Sequence, residues 1–297
     1  MKNDEPTVGR RVLLRTAVFL GIAAASALVT AGEGGPGGGS TAGAPGAAGP
    51  APGPGPGAAG AAGAPGLRPQ GPPEKSYRLR PMTAEVPARP AVAKPAVRTR
   101  PILELPDGAP TAGAMVLTFD DGPDPRYTPA VLDTLARYGV RAMFFVCGEM
   151  ATENRDLLRR MTAEGHVIGN HTWTHPLIPT LSRSALEAEI GRTSEVVQRA
   201  VGEAPLWFRA PYGAWNRAAF EIGAGLGMEP LAWTVDSLDW KEPGSTAIVS
   251  RVLSGAGSGV IVLNHDAGGD RSQTVRALEA YLPQLLGRGY RMTLPAR

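Results

Sequence analysis

Seven short β-rich runs alternating with helical patterns, from about residue 114 to Arg297, predict an α/β fold with parallel strands. Either an α/β barrel or a doubly wound sheet satisfies that pattern. Two further observations support it. Helix-opening residues fall between the runs, and polar residues crowd just after them. In both architectures the chemistry gathers at the carboxyl ends of the strands.

In order, the first strand is expected at Met115–Phe119, and Thr128-Pro129 opens a helix with Thr as cap and Pro at the first helical position. Ala142–Val146 is the second strand, followed by a helix holding Asp156–Ala163. Val167–Asn170 is the third. A long helix then begins near Ser182–Ser184, where Ser184 and Glu187 have capping-box spacing. Leu206–Arg209 is the fourth strand, with a helix after Asn216. Leu231–Val235 is the fifth, with a helix after Ser245, and Val260–Leu263 is the sixth. The last helix runs from Ser272 to Leu286, before a seventh strand at Tyr290–Leu294.

Everything before residue 114 reads differently. Arg10, Arg11 and Arg15 precede an apolar run from Ala17 to Val29, and Val29-Thr30-Ala31 offers small residues for cleavage. Residues 1–31 are therefore expected to be an export signal, possibly of twin-arginine type, in an exported or cell-envelope protein. An uncleaved anchor is the alternative, and only then is membrane contact expected. From Gly32 to Gly66 every residue except Glu33, Ser40 and Thr41 is Gly, Ala or Pro. Such a stretch buries too little to offset its ordering entropy, so 32–66 is expected to be a disordered linker. Residues 67–113 continue it as a Pro-rich basic segment, and 114–297 form the folded domain.

Charge excludes one class of partner. The chain carries 30 Lys and Arg against 27 Asp and Glu, yet residues 115–297 hold 18 against 20. The basicity is N-terminal, so no phosphate-binding groove is expected in the domain and no nucleic acid is an expected partner. Cys147 is the only cysteine, which excludes an intrachain disulfide and a cysteine-cluster zinc site.

The strand ends hold the chemistry. The first is followed by Thr118-Phe119-Asp120-Asp121-Gly122-Pro123, the third by His171-Thr172-Trp173-Thr174-His175. The fourth ends in Arg209-Ala210-Pro211-Tyr212-Gly213, the fifth in Asp236-Ser237-Leu238-Asp239-Trp240, and the sixth in Leu263-Asn264-His265-Asp266. Each alone has a bland reading, such as a turn or a solvated charge. Together they place three of the four histidines, several carboxylates and an arginine on one predicted face. His171 and His175 can converge on one cation, and a carboxylate from another strand can complete a three-ligand site with open positions. A second carboxylate could accept a proton from water, and a separate histidine could protonate a leaving group. No His-Glu-x-x-His helix and no Gly-x-Ser-x-Gly elbow occurs, so a common zinc peptidase and a serine esterase are not expected.

With these motifs in order, the chain from about 114 to 297 resembles the NodB-like polysaccharide deacetylases, carbohydrate esterase family 4. The resemblance implies a distorted (β/α) barrel with fewer than eight strands, in accord with about seven. It implies that Asp121, His171 and His175 bind one divalent ion, usually zinc, and that Asp120 is the catalytic base, held by Arg209. The Tyr212 backbone N–H would help bind the oxyanion, and Trp240 and Leu263 would wall the acetyl methyl. His265 would be the general acid and Asp236 the carboxylate that tunes it. His166, which precedes its strand, is read as structural, and Trp173 and Trp215 as stacking platforms or buried packing. The expected activity is removal of N-acetyl groups from N-acetylglucosamine polymers, peptidoglycan or chitin-like, by a monomer. An O-deacetylase on polysaccharides such as xylan and an inactive sugar-binding module are the alternatives.

Overall fold

The computed structural model describes residues 93–106 and 111–296, within one compact unit from Pro81 to Arg297. The expected export signal over 1–31, the linker over 32–66 and most of the basic segment 67–113 lie outside the described residues.

Among the described residues, eight short strands are interspersed with seven α-helices. The strands are β1 (Ala114–Asp120), β2 (Met143–Val146), β3 (Val167–Asn170), β4 (Trp207–Phe208), β5 (Glu229–Pro230), β6 (Val235–Asp236), β7 (Ile261–His265) and β8 (Arg291–Met292). The helices are α1 (Thr128–Arg137), α2 (Gly148–Glu153), α3 (Arg155–Ala163), α4 (Arg183–Val201), α5 (Arg217–Gly225), α6 (Ser245–Ser254) and α7 (Ser272–Gly287). The order across the sheet is β5-β4-β3-β2-β1-β7-β6, and β8 joins the start of β1. All these pairings are parallel. The result is a half-barrel, the distorted α/β barrel that the sequence predicts.

The central strand shows why the site lies inside. All seven residues of β1 are buried, and they alternate between two cores. Met115, Leu117 and Phe119 pack outward with Leu132 and Leu135 of α1 and Leu278, Leu282 and Leu285 of α7. Ala114 and Val116 pack inward with Met143, Phe145, Trp207, Leu231 and Ile261. Strand period two carries the inward face on to Thr118 and Asp120. Polar residues thus enter the interior only at the carboxyl end of β1.

Three local expectations change. The Thr128 hydroxyl does not cap α1; it accepts from the Asp124 N–H and donates to Asp266. The cap of α4 is Ser182, which accepts from the Ala185 N–H at 3.2 Å, and Ser184 lies within the helix. The fifth expected strand, Leu231–Val235, is replaced by β5, which ends just before it, and β6, which begins at its last residue. The physical reason is that the Leu231 and Ala232 carbonyls accept from the Arg209 guanidinium, so only an isolated bridge of Leu231 to Ile102 forms there and no continuous strand.

The boundary at 113/114 also moves, because part of the basic segment belongs to the domain. The Ile102 N–H donates to Pro230, and the Ile102 carbonyl accepts from Ala232 at 2.7 Å. Glu104 bridges Val260, and Leu105 is 5% exposed within the inner core. These residues lie against the chain just after β5 and just before β7, on the two sides of the open sheet. Leu105→Ala should therefore cost about 2–5 kcal/mol, typical of a buried leucine truncation. Urea unfolding checks this; an unchanged midpoint would mean the segment is loosely laid on.

Candidate active site and metal centre

Among the described residues, six non-glycine residues have left-handed backbone: Asp121 (φ 74°), Thr172 (66°), His175 (58°), Tyr212 (59°), Leu238 (53°) and Glu242 (52°). All lie in the loops that follow the carboxyl ends of β1, β3, β4 and β6. Strained backbone gathers where the surroundings over-determine geometry, and here it surrounds one constellation.

Asp121, His171 and His175 offer ligand atoms that all lie within 4.8 Å of one another. Asp121 Oδ1 is 3.5 Å from His171 Nε2 and 3.3 Å from His175 Nε2. His171 Nδ1 is 2.8 Å from the Arg209 carbonyl. A carbonyl only accepts, so Nδ1 carries the proton and Nε2 presents its lone pair toward Asp121. Burial, reinforced by neighbouring His175, holds the His171 pKa down to about 3, so the ring is neutral at neutral pH. Asp121 Oδ1 is buried and accepts no hydrogen bond. Two imidazole nitrogens and an orphaned carboxylate oxygen fit a divalent cation such as zinc. The backbone crowds this group: a Cβ on Gly268 would meet the Asp121 Oδ2.

Asp120 lies deeper, 2% exposed. Its Oδ1 accepts from Arg209 Nη1 at 2.7 Å, and its Oδ2 is 3.6 Å from His171 Nε2. Burial raises its pKa above the ordinary carboxylate value, against the lowering effect of Arg209. Arg209 is fully buried and spends its donors on Asp120, Thr118, Leu231 and Ala232. Its guanidinium also lies over the Phe145 ring, 4.1 Å from the centroid. So fixed a cation orients Asp120 rather than following it.

Across the sheet, His265 is in register with Asp120. The partner of its ring is Asp239, not the expected Asp236: His265 Nδ1 lies 2.7 Å from Asp239 Oδ1. The other oxygen of Asp239 accepts from the His265 N–H and the Thr274 hydroxyl, each at 2.8 Å. Asp236 instead accepts from the Leu238 N–H. The cause is local. Strand β6 is two residues long, and the left-handed Leu238 turns the chain so that Asp239 comes to lie beside His265. Burial alone would lower the His265 pKa, but the charge and hydrogen bond of Asp239 outweigh it, and it stands at about 9.

The remaining expected residues are at the rim. Tyr212 is 67% exposed, with its ring edge-on to His175 at 4.5 Å. Trp240 is 43% exposed in the turn that carries Asp239, with Lys241 over its ring. Leu263 is buried on β7, two residues before His265 and so on the same inward face. Trp215 stacks on Phe220 and meets Phe208 edge-on, and Trp173 packs against the outer core, so both pack. His166 is buried, accepting from the Ala142 N–H at 3.1 Å.

Two acids beside the centre were not singled out from the sequence. Asp239 stands three residues after Asp236 in the same motif. Asp266 directly follows His265 and is fully buried; burial, with Asp121 and Asp120 nearby, pushes its pKa up to about 7. A Cβ on Gly122 would meet its carboxyl at 2.4 Å, so only glycine fits there.

The model of the polysaccharide deacetylase family matches residues 107–231. A peptidoglycan-N-acetylglucosamine deacetylase of Bacillus cereus is 44% identical over 179 residues, 60% of this chain and 84% of that protein. A chitooligosaccharide deacetylase of Rhizobium leguminosarum bv. trifolii is 40% identical over 185 residues, 59% of this chain and 86% of that one. Among solved structures, a family 4 carbohydrate esterase from Streptomyces lividans in complex with acetate superposes with a TM-score of 0.58 at 35% identity, over 61% of this chain and 92% of that one.

Proposed function

Since this chain belongs to the polysaccharide deacetylase family, as a hydrolase of carbon–nitrogen bonds other than peptide bonds, we propose that it removes N-acetyl groups from N-acetylglucosamine polymers outside the cytoplasm. The observation that carries this reading is the register of Asp120 with His265 on the neighbouring strand, beside the Asp121–His171–His175 cluster. The names of the relatives support peptidoglycan or a chitin-like oligomer as substrate. The N-terminal sequence supports export, with residues 1–31 as signal, 32–66 and the first part of 67–113 as linker, and the catalytic domain beginning by Ile102 and running to the end of the given sequence.

Asp121, His171 and His175 would hold one divalent ion, zinc by its donor set. When bound, it supplies a Lewis acid beside the scissile acetamide. Asp120 takes the proton of the attacking water, and Arg209 keeps its carboxylate aimed inward. Burial raises the proton affinity of Asp120, which suits a general base. The Tyr212 N–H donates to the oxyanion of the tetrahedral intermediate, while Trp240 and Leu263 wall the acetyl methyl. His265, protonated on both nitrogens, donates through Nδ1 to Asp239 and gives its Nε2 proton to the departing amine. Water is consumed, the C–N bond breaks, and acetate and a free amino sugar leave. The chain acts as a monomer.

Acetate release from chitin oligomers, peptidoglycan and acetylated xylan tests the proposal. Release from the first two faster than from xylan is the expected result, and release from xylan alone would make it an O-deacetylase. His171→Ala should lose both ion and turnover, because it removes a ligand with a fixed tautomer. Metal analysis of the purified variant checks this, and full zinc content would contradict the assignment.

A further inference from the structure

We propose that Glu189 on α4 is a positioning residue that sets the spacing of His171 and His175, and thereby the affinity of the divalent-ion site. The inference rests on the reading of Asp121, His171 and His175 as that site. The loop from His171 to His175 holds two left-handed non-glycine residues, Thr172 and His175. Between them the Trp173 and Thr174 N–H groups both donate to Glu189 Oε2, each at 2.8 Å. The Thr174 hydroxyl donates to Oε1 at 3.0 Å. Successive N–H groups point at one oxygen only in a narrow range of backbone shapes, and a negative charge placed there selects that shape.

The same helix grips the loop from another side. The Arg192 guanidinium lies over the Trp173 ring, 3.9 Å from its centroid. That ring also abuts Gly148, where a Cβ would meet it at 2.2 Å. The His171 end has its own anchors: the Arg209 carbonyl on Nδ1, and Asn170 Oδ1 accepting from the Thr172 N–H at 2.8 Å. Asn170 is tied to α4 in turn, through the Ile190 carbonyl and the Ser194 hydroxyl. Glu189 is thus the side chain that reaches the two residues between the anchored end and His175. With it in place, the second imidazole is held at ligand distance before any ion arrives.

The test is zinc affinity of the full-length protein, by competition with a chromophoric chelator, with unfolding of the metal-free protein followed alongside. Glu189→Ala should weaken zinc binding about 10–100-fold, the usual effect of losing a group that orients a ligand. It should also alter the visible spectrum of the cobalt-substituted protein. Glu189→Gln keeps one oxygen for the two N–H groups and should fall between the alanine variant and the parent. Glu187→Ala, which loses a surface pair with Arg183 on the same helix, should bind zinc as the parent does. A lowered unfolding midpoint with unchanged zinc affinity would make Glu189 merely structural and overturn the inference. If the alanine variant does not fold, parental affinity in Glu189→Gln overturns it equally. A parent protein that binds no zinc would instead overturn the metal-site reading itself, so the two failures are distinguishable.

Discussion

Asp239→Asn should lower kcat/KM at pH 8 by up to roughly thirty-fold and move the alkaline limb of the profile from near pH 9 toward pH 6.5. A general acid works only while it holds its proton, and the alkaline limb of kcat/KM reports that proton in the free enzyme. His265 stands at about 9 because Asp239 outweighs the effect of burial. Without that charge burial is opposed only by the weaker pull of Asp121 and Asp120, and the imidazole falls toward its ordinary value of about 6.5. Its protonated fraction at pH 8 then drops from about nine-tenths to a few hundredths. Asp236→Asn should leave the limb in place, since its carboxylate accepts from Leu238 and not from the ring. Profiles of the two variants decide between the acids. Stability follows the same sign. The folded value lies above the unfolded one, so the contribution of His265 is fully present below about pH 6.5 and is lost as pH rises through about 9.

Asp120→Asn is expected to reduce turnover by about 10²–10⁴-fold, the usual worth of a general base. Zinc should stay bound. The carboxamide keeps the shape, and an oxygen can still accept from Arg209, but the proton affinity is gone. Turnover and metal content measured on one preparation check both halves. Loss of the ion with the activity would mean that Asp120 and Asp121 have exchanged roles.

How much of this was legible beforehand depended on whether a signal was local. Strand β3 was readable at both bounds, and the start of α7 at Ser272, because an apolar run and a helical period sit inside short windows. The histidine pair was legible because His171 and His175 share a loop; the choice of Asp121 as their carboxylate came from the family resemblance, and the fold brings its oxygen beside both rings. The partner of His265 was not. It depends on a left-handed turn at Leu238, and nothing in the residues between Asp236 and Asp239 announces that turn. The break in the expected fifth strand has a similar origin. Leu231 and Ala232 look like strand residues until Arg209, more than twenty positions earlier, takes their carbonyls. Ile102 and Leu105 sit in a Pro-rich basic stretch that reads as linker, and only long-range pairing with the barrel gives them a place.

The proposed half-barrel hydrolase cleaves an acetamide only with a divalent ion held by Asp121, His171 and His175. The direct test is acetate released from N-acetylglucosamine oligomers by one preparation, measured as purified, after chelation, and after stoichiometric zinc is restored. The expected sequence is release, then loss, then recovery near one zinc per chain. Undiminished release from fully metal-free protein would contradict it.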